Sequence, residues 1–85
     1  MVIWKWPLEM IDHQILEMPI GAKILDVQMQ GETCCLWAMC DPYAAKENRS
    51  FTIRGTGQTM PDNPGKYIAT FQYSYTLVFH IFEDN

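Results

Sequence analysis

"KILDVQMQGETCCLWAMC", residues 23–40, holds two apolar segments of period two on either side of a glycine, and its reading decides the fold. In the first half Leu25, Val27 and Met29 alternate with Asp26, Gln28 and Gln30, the pattern of a strand with one buried face. The second half, "TCCLWAMC", is apolar at both parities, as expected for a central strand covered on both sides. Gln30-Gly31-Glu32 between them is short enough to force an antiparallel hairpin.

Working outward, the same period recurs. In "RSFTIRG", residues 49–55, Phe51 and Ile53 alternate with Ser50, Thr52 and Arg54, so Arg54 projects from the polar face. Further strands are predicted at "VIWKW" (2–6), "HQILEM" (13–18), "GKYIATFQ" (65–72) and "YTLVFHIFE" (75–83), with a turn at Pro19-Ile20-Gly21. Only "DPYAAKEN", residues 41–48, has helical composition, which allows at most one short helical turn near 42–48 with Asp41 as its cap and Pro42 at its first position. About seven closely spaced strands in 85 residues predict a single all-β domain spanning residues 1–85, a small antiparallel β-sandwich or flattened barrel.

Composition narrows the function classes. The chain is 48% hydrophobic, more than one small core hides, and the surplus points to a homo-oligomer or partner interface. A net charge of −4 argues against direct binding of nucleic acid, which rests on many Lys and Arg meeting phosphates. Yet residues 46–66 hold four bases (Lys46, Arg49, Arg54, Lys66) against two acids (Glu47, Asp62), a local +2 that attracts a small anion. Cys34, Cys35 and Cys40 form neither an even disulfide framework nor a C-x-x-C metal spacing. A reducing cytoplasm is the expected compartment, with no metal and no cofactor. "MVIWKWPLEM" has no basic start followed by a long apolar run, and no segment has the length of a membrane helix, so no export signal or membrane partner is expected.

The candidate ligand site is the stretch Arg54-Gly55-Thr56-Gly57-Gln58, with Arg49 before it and Lys66 after it. Glycines without a Cβ let backbone N–H groups converge on an anion, Thr56 adds a hydroxyl, and arginine a planar fork of donors. The same residues also suit a bend at a strand end, and they match neither a dinucleotide fingerprint nor a Walker loop. Trp4 and Trp6 share a face, and packing is the commoner use of such a pair. His13 and His80 are the only histidines, and His80, between Phe79 and Ile81, reads as a satisfied strand residue. Asp26, Asp41 and Asp62 are accounted for by a strand face, a cap and a turn, so no catalytic constellation is expected.

"EMPIGAKILDVQMQ" (17–30), "CLWAMCDP" (35–42), "RGTGQTMPDNPGKYIATFQ" (54–72) and "LVFHIFE" (77–83), with aromatic-Lys-aromatic-Pro-Leu at 4–8, resemble a family of short proteins of tailed bacteriophages and prophages. The chain departs from that pattern at Gln58, where histidine is as common, and at Ser74-Tyr75, where glycine is expected. The resemblance implies a phage accessory protein of the host bacterial cytoplasm, from a gene class rich in antagonists of host defence. The expected function is non-catalytic sequestration of a small anionic, nucleotide-like signal of bacterial immunity by an oligomer. The alternative is a protein that inhibits a host defence enzyme or nuclease through an acidic surface or a strand edge such as "VIWKW".

Overall fold

The computed structural model describes residues 1–85 as seven antiparallel strands: β1 (Val2–Leu8), β2 (His13–Pro19), β3 (Lys23–Gln30), β4 (Thr33–Cys40), β5 (Lys46–Gly55), β6 (Lys66–Tyr73) and β7 (Leu77–Glu83). They form a β-sandwich of a three-stranded sheet, β1-β4-β3, and a four-stranded sheet, β2-β5-β7-β6. The hairpin at 23–40 is present, closed by Gly31-Glu32 between the paired Gln30 and Thr33. Gly31 has φ 61 and Glu32 a negative φ, the signature of a type II′ turn, whose twist matches the flanking strands.

Three sequence expectations change. Leu25 does not share a face with Val27 and Met29: a bulge between Ile24 and Asp26 shifts the phase, so Ile24 packs on the core and Leu25 is exposed. Residues 41–48 contain no helix. Asp41 Oδ1 accepts from the Tyr43 N–H (3.0 Å), an Asx turn, and Lys46, Glu47 and Asn48 pair with Pro19, Met18 and Glu17 as the start of β5. β4 is central, but no second layer covers its outer face. Cys35 is buried there beneath a hydrogen bond from Lys5 Nζ to Gln30 Oε1 (2.7 Å), while Trp37 and Met39 are half-buried.

Between the sheets lie Val27, Leu36, Ala38 and Cys40 from one side and Met18, Phe51, Ile53, Phe71 and Ile81 from the other. Removing an apolar side chain from such a core costs about 2–5 kcal/mol. At one end the core gives way to charge. Arg49 faces inward and grips Glu83 with Nε to Oε2 (2.6 Å) and Nη2 to Oε1 (2.7 Å), while Nη1 donates to the Ala22 carbonyl (2.5 Å). That fork ties β5, β7 and the β2–β3 turn together.

β5 and β6 run parallel with β7 between them, so residues 56–65 must return the chain from one end of the sheet to the other. The return closes at Gly65, whose φ of 92 suits glycine and where a Cβ would collide with the Glu83 carbonyl. In the β6–β7 loop Ser74 holds the left-handed conformation (φ 63), which costs any residue but glycine. Gly65→Ala should therefore destabilise by about 2–4 kcal/mol. Ser74→Gly should stabilise by up to about 1 kcal/mol, some 4–8 °C in a domain of this size. Thermal unfolding of both variants checks the pair.

Candidate functional site

The outer face of the four-stranded sheet is polar. Register places His13 beside Thr52, Arg54 beside His80, Thr70 on the other side of His80, and Tyr67 beside Phe82. Side chains directly opposite one another in an antiparallel pair share a face, so strand order alone brings both histidines, Arg54 and a row of hydroxyls together.

Two hydrogen-bonded chains run across this face. Ser50 Oγ and Thr52 Oγ1 each donate to a different Asp84 oxygen (2.6 Å both), and Thr52 Oγ1 lies 2.9 Å from His13 Nδ1. Since the single Thr52 hydroxyl hydrogen goes to Asp84, its oxygen accepts from His13, which fixes a proton on Nδ1. In the second chain Thr56 Oγ1 donates to the Val78 carbonyl (3.2 Å) and so accepts from His80 Nε2 (2.8 Å). His80 Nδ1 in turn lies 2.9 Å from Thr70 Oγ1, and Thr70 Oγ1 lies 2.7 Å from the Tyr67 hydroxyl. Both ring nitrogens of His80 are occupied, in keeping with a satisfied strand histidine.

Arg54 stands apart. Its guanidinium makes no hydrogen bond and no ion pair, and Nε is the one buried side-chain polar atom in the chain without a partner. The two Nη groups remain accessible. Leaving a buried donor unmatched costs about 1–3 kcal/mol, more for a charged group.

The other residues expected at the site divide. Gly55, Thr56 and Gln58 line a cleft of ≈ 380 Å³ at the end of the sandwich, over Ile53 and Phe79. Their N–H groups are already committed: Gly55 to Gln58 Oε1, Thr56 to the Val78 carbonyl (3.1 Å) and Gln58 to the Gly55 carbonyl (3.1 Å). Gly55 to Gln58, with Gly57 at φ 93, is therefore built as a tight bend, and Arg54 points to the sheet face beside it. Arg49 and Lys66 lie at the opposite end of the sheet, Lys66 exposed opposite Glu83 and Arg49 consumed by the same carboxylate. The alternation in 49–55 put Thr52 on the polar face with Arg54, but sequence reasoning did not bring His13, Thr70 and Asp84 there. The outward parity of His80 and Thr70 was readable, but not the pairing of β2 and β7 on either side of β5.

Cys34 and Cys40 point into the core and Cys35 out of it, and all three are free thiols. Burial, aided by the neighbouring Cys35, pushes the Cys34 thiol up to about 11, so it stays protonated and a poor nucleophile at neutral pH.

Burial by itself would raise the Asp84 carboxyl, but the hydrogen bonds from Ser50 and Thr52, with the charges of His13 and Arg54, outweigh it and hold the group below its ordinary value. A depressed carboxylate contributes stability above its unfolded pKa, and that contribution is lost as pH falls through the lower folded value. The stability gap between the parent protein and Asp84→Asn should thus be constant near neutrality and close below about pH 4, as urea titrations at several pH values would show.

No curated protein and no solved structure matches the chain. One family model matches all of residues 1–85. The chain accordingly belongs to the family described as Domain of unknown function (DUF7352).

Proposed function

We propose that this protein binds a small anionic, nucleotide-like molecule on the outer face of the four-stranded sheet and sequesters it without chemistry. The observation that carries the reading is the contrast between the two arginines. Every arm of Arg49 has a partner, whereas the Arg54 guanidinium has none and keeps two Nη groups accessible beside His80. A planar fork of that kind matches the oxygens of a phosphate.

The surroundings support the same reading. His13 is oriented through Nδ1 by Thr52 and leaves Nε2 without a partner inside the chain. Tyr67, 54% exposed, meets Phe82 edge-on at 5.7 Å, one row along the sheet from Arg54, and offers an aromatic surface for a base. Sequestration without turnover is supported by the hydroxyls of Ser50 and Thr52, which donate to a carboxylate, and by His80, which has no free nitrogen. The bacteriophage resemblance supports taking the anion as a signal of bacterial immunity and the host cytoplasm as the place of action.

Micromolar affinity needs about −8 kcal/mol, and charge-assisted hydrogen bonds contribute roughly 1.5–3 kcal/mol each. Arg54 is the largest single contributor in this account. Calorimetric titration with inorganic phosphate, AMP and ADP should show nucleotide binding that Arg54→Ala weakens by about 10- to 100-fold and that Arg54→Lys restores only in part. Binding to the parent protein that Arg54→Ala leaves unchanged would refute the site.

A further inference from the structure

Four strands end a sheet in this fold, and three of those edges are blunted. β3 and β6 lie against one another on the closed side of the sandwich. β2 carries His13 and Glu17 and ends in Pro19, the charge and proline by which natural edges resist pairing. β1 is different. It has β4 on one side and no strand on the other, and it is apolar on both faces: Val2 and Trp4 opposite Cys40 and Ala38, Ile3 opposite Met39.

Its one charge does not protect it. An edge lysine normally leans out to block a second strand. Lys5 instead reaches inward across β4 to Gln30 Oε1, which draws the ammonium over the sheet and leaves the edge bare. Ile3 is 59% exposed and Trp4 37% exposed. Trp4 has the Trp6 ring at 6.2 Å and Lys46 Nζ 6.0 Å from its own ring, which hold one side of it and leave the other side uncovered.

We propose that β1 pairs antiparallel with β1 of a second copy, centred on Trp4, and joins the two three-stranded sheets into one six-stranded sheet. The strand is complementary to itself in that register. Val2 falls opposite Trp6 of the partner subunit, Ile3 opposite the partner's Lys5, and the two Trp4 rings lie side by side, so no like charges oppose. Pro7, which lacks an N–H, falls outside the paired stretch and ends it. No acidic residue lies on β1, so the net charge of −4 on each copy is kept off the seam. Five paired residues span about 17 Å, an interface at the weak end of the specific range, below roughly 1,200 Å² in total. Such a dimer dissociates on dilution. It uses neither Arg54 nor the sheet that carries it, and so stands independently of the ligand proposal.

Sedimentation equilibrium across the micromolar range reads this directly. The parent protein should approach twice its 9.9 kDa at high concentration and fall to 9.9 kDa on dilution. Ile3→Lys, which puts a lysine at the bare edge, should stay at the monomer mass with an unchanged unfolding transition. Val2→Lys should do the same from the opposite face. Ile15→Lys, at a 65% exposed position on β2, should dimerise like the parent. A parent protein monomeric throughout, including one that gains mass only with a host protein, would overturn the proposal. So would a dimer that survives both β1 substitutions, or one that Ile15→Lys dissociates equally.

Discussion

Two consecutive carboxylates at the end of β7 set the terms for the rest of the molecule. Successive strand residues point to opposite faces, so Glu83 enters the sandwich and Asp84 leaves it. Inside, Glu83 neutralises Arg49, which would otherwise be a charge buried at the margin of an apolar core. Outside, Asp84 gathers Ser50 and Thr52, orients His13 through Thr52, and draws stabilisation from the nearby charge of Arg54 without bonding it. Gly65 is held to glycine by the same strand end, because the return of the chain from β5 packs its backbone on the Glu83 carbonyl.

The division between the arginines follows from that arrangement. Arg49 and Arg54 differ in parity along one strand, so one faces the core and the other the outer surface. The inner one found a carboxylate and a carbonyl; the outer one lies beside His80, whose nitrogens are taken by Thr56 and Thr70. Arg54 is left as a charged fork with no hydrogen bond inside the chain, on a surface already furnished with hydroxyls and an aromatic pair. Unmatched buried donors are rare in folded chains, and each calls for a physical account.

Much of the fold was legible because period two is strong in this chain. Phe51 and Ile53, or Val27 and Met29, can be assigned to a face from the sequence alone. Bulges broke the reading where they occur: the extra residues at Leu25 and Ile68 leave no compositional trace, and each reverses the parity of what lies beyond it. Residues 41–48 misled in another way, since Asp41 and Pro42 suit a helix start and an Asx turn equally, and only pairing with β2 decided between them. The site was less legible than the fold. Its members come from β2, β5, β6, β7 and the chain end, and they meet only through the order β2-β5-β7-β6, which no local pattern encodes. The glycine loop drew attention because it is local. The N–H groups of Gly55, Thr56 and Gln58 are taken inside the chain, and the neighbouring Arg54 carries the interest.

Comparing the chemical unfolding of Arg49→Met and Arg54→Met tests most directly whether Arg54 is spare to the fold while Arg49 holds it together. Arg49→Met strands Glu83 and should cost on the order of 3 kcal/mol. Arg54→Met removes an unpaired donor and should leave stability within about 0.5 kcal/mol of the parent, or raise it. A loss at Arg54 as large as that at Arg49 would mean that both arginines serve the structure, and the account of a guanidinium held in reserve for an anion would fail.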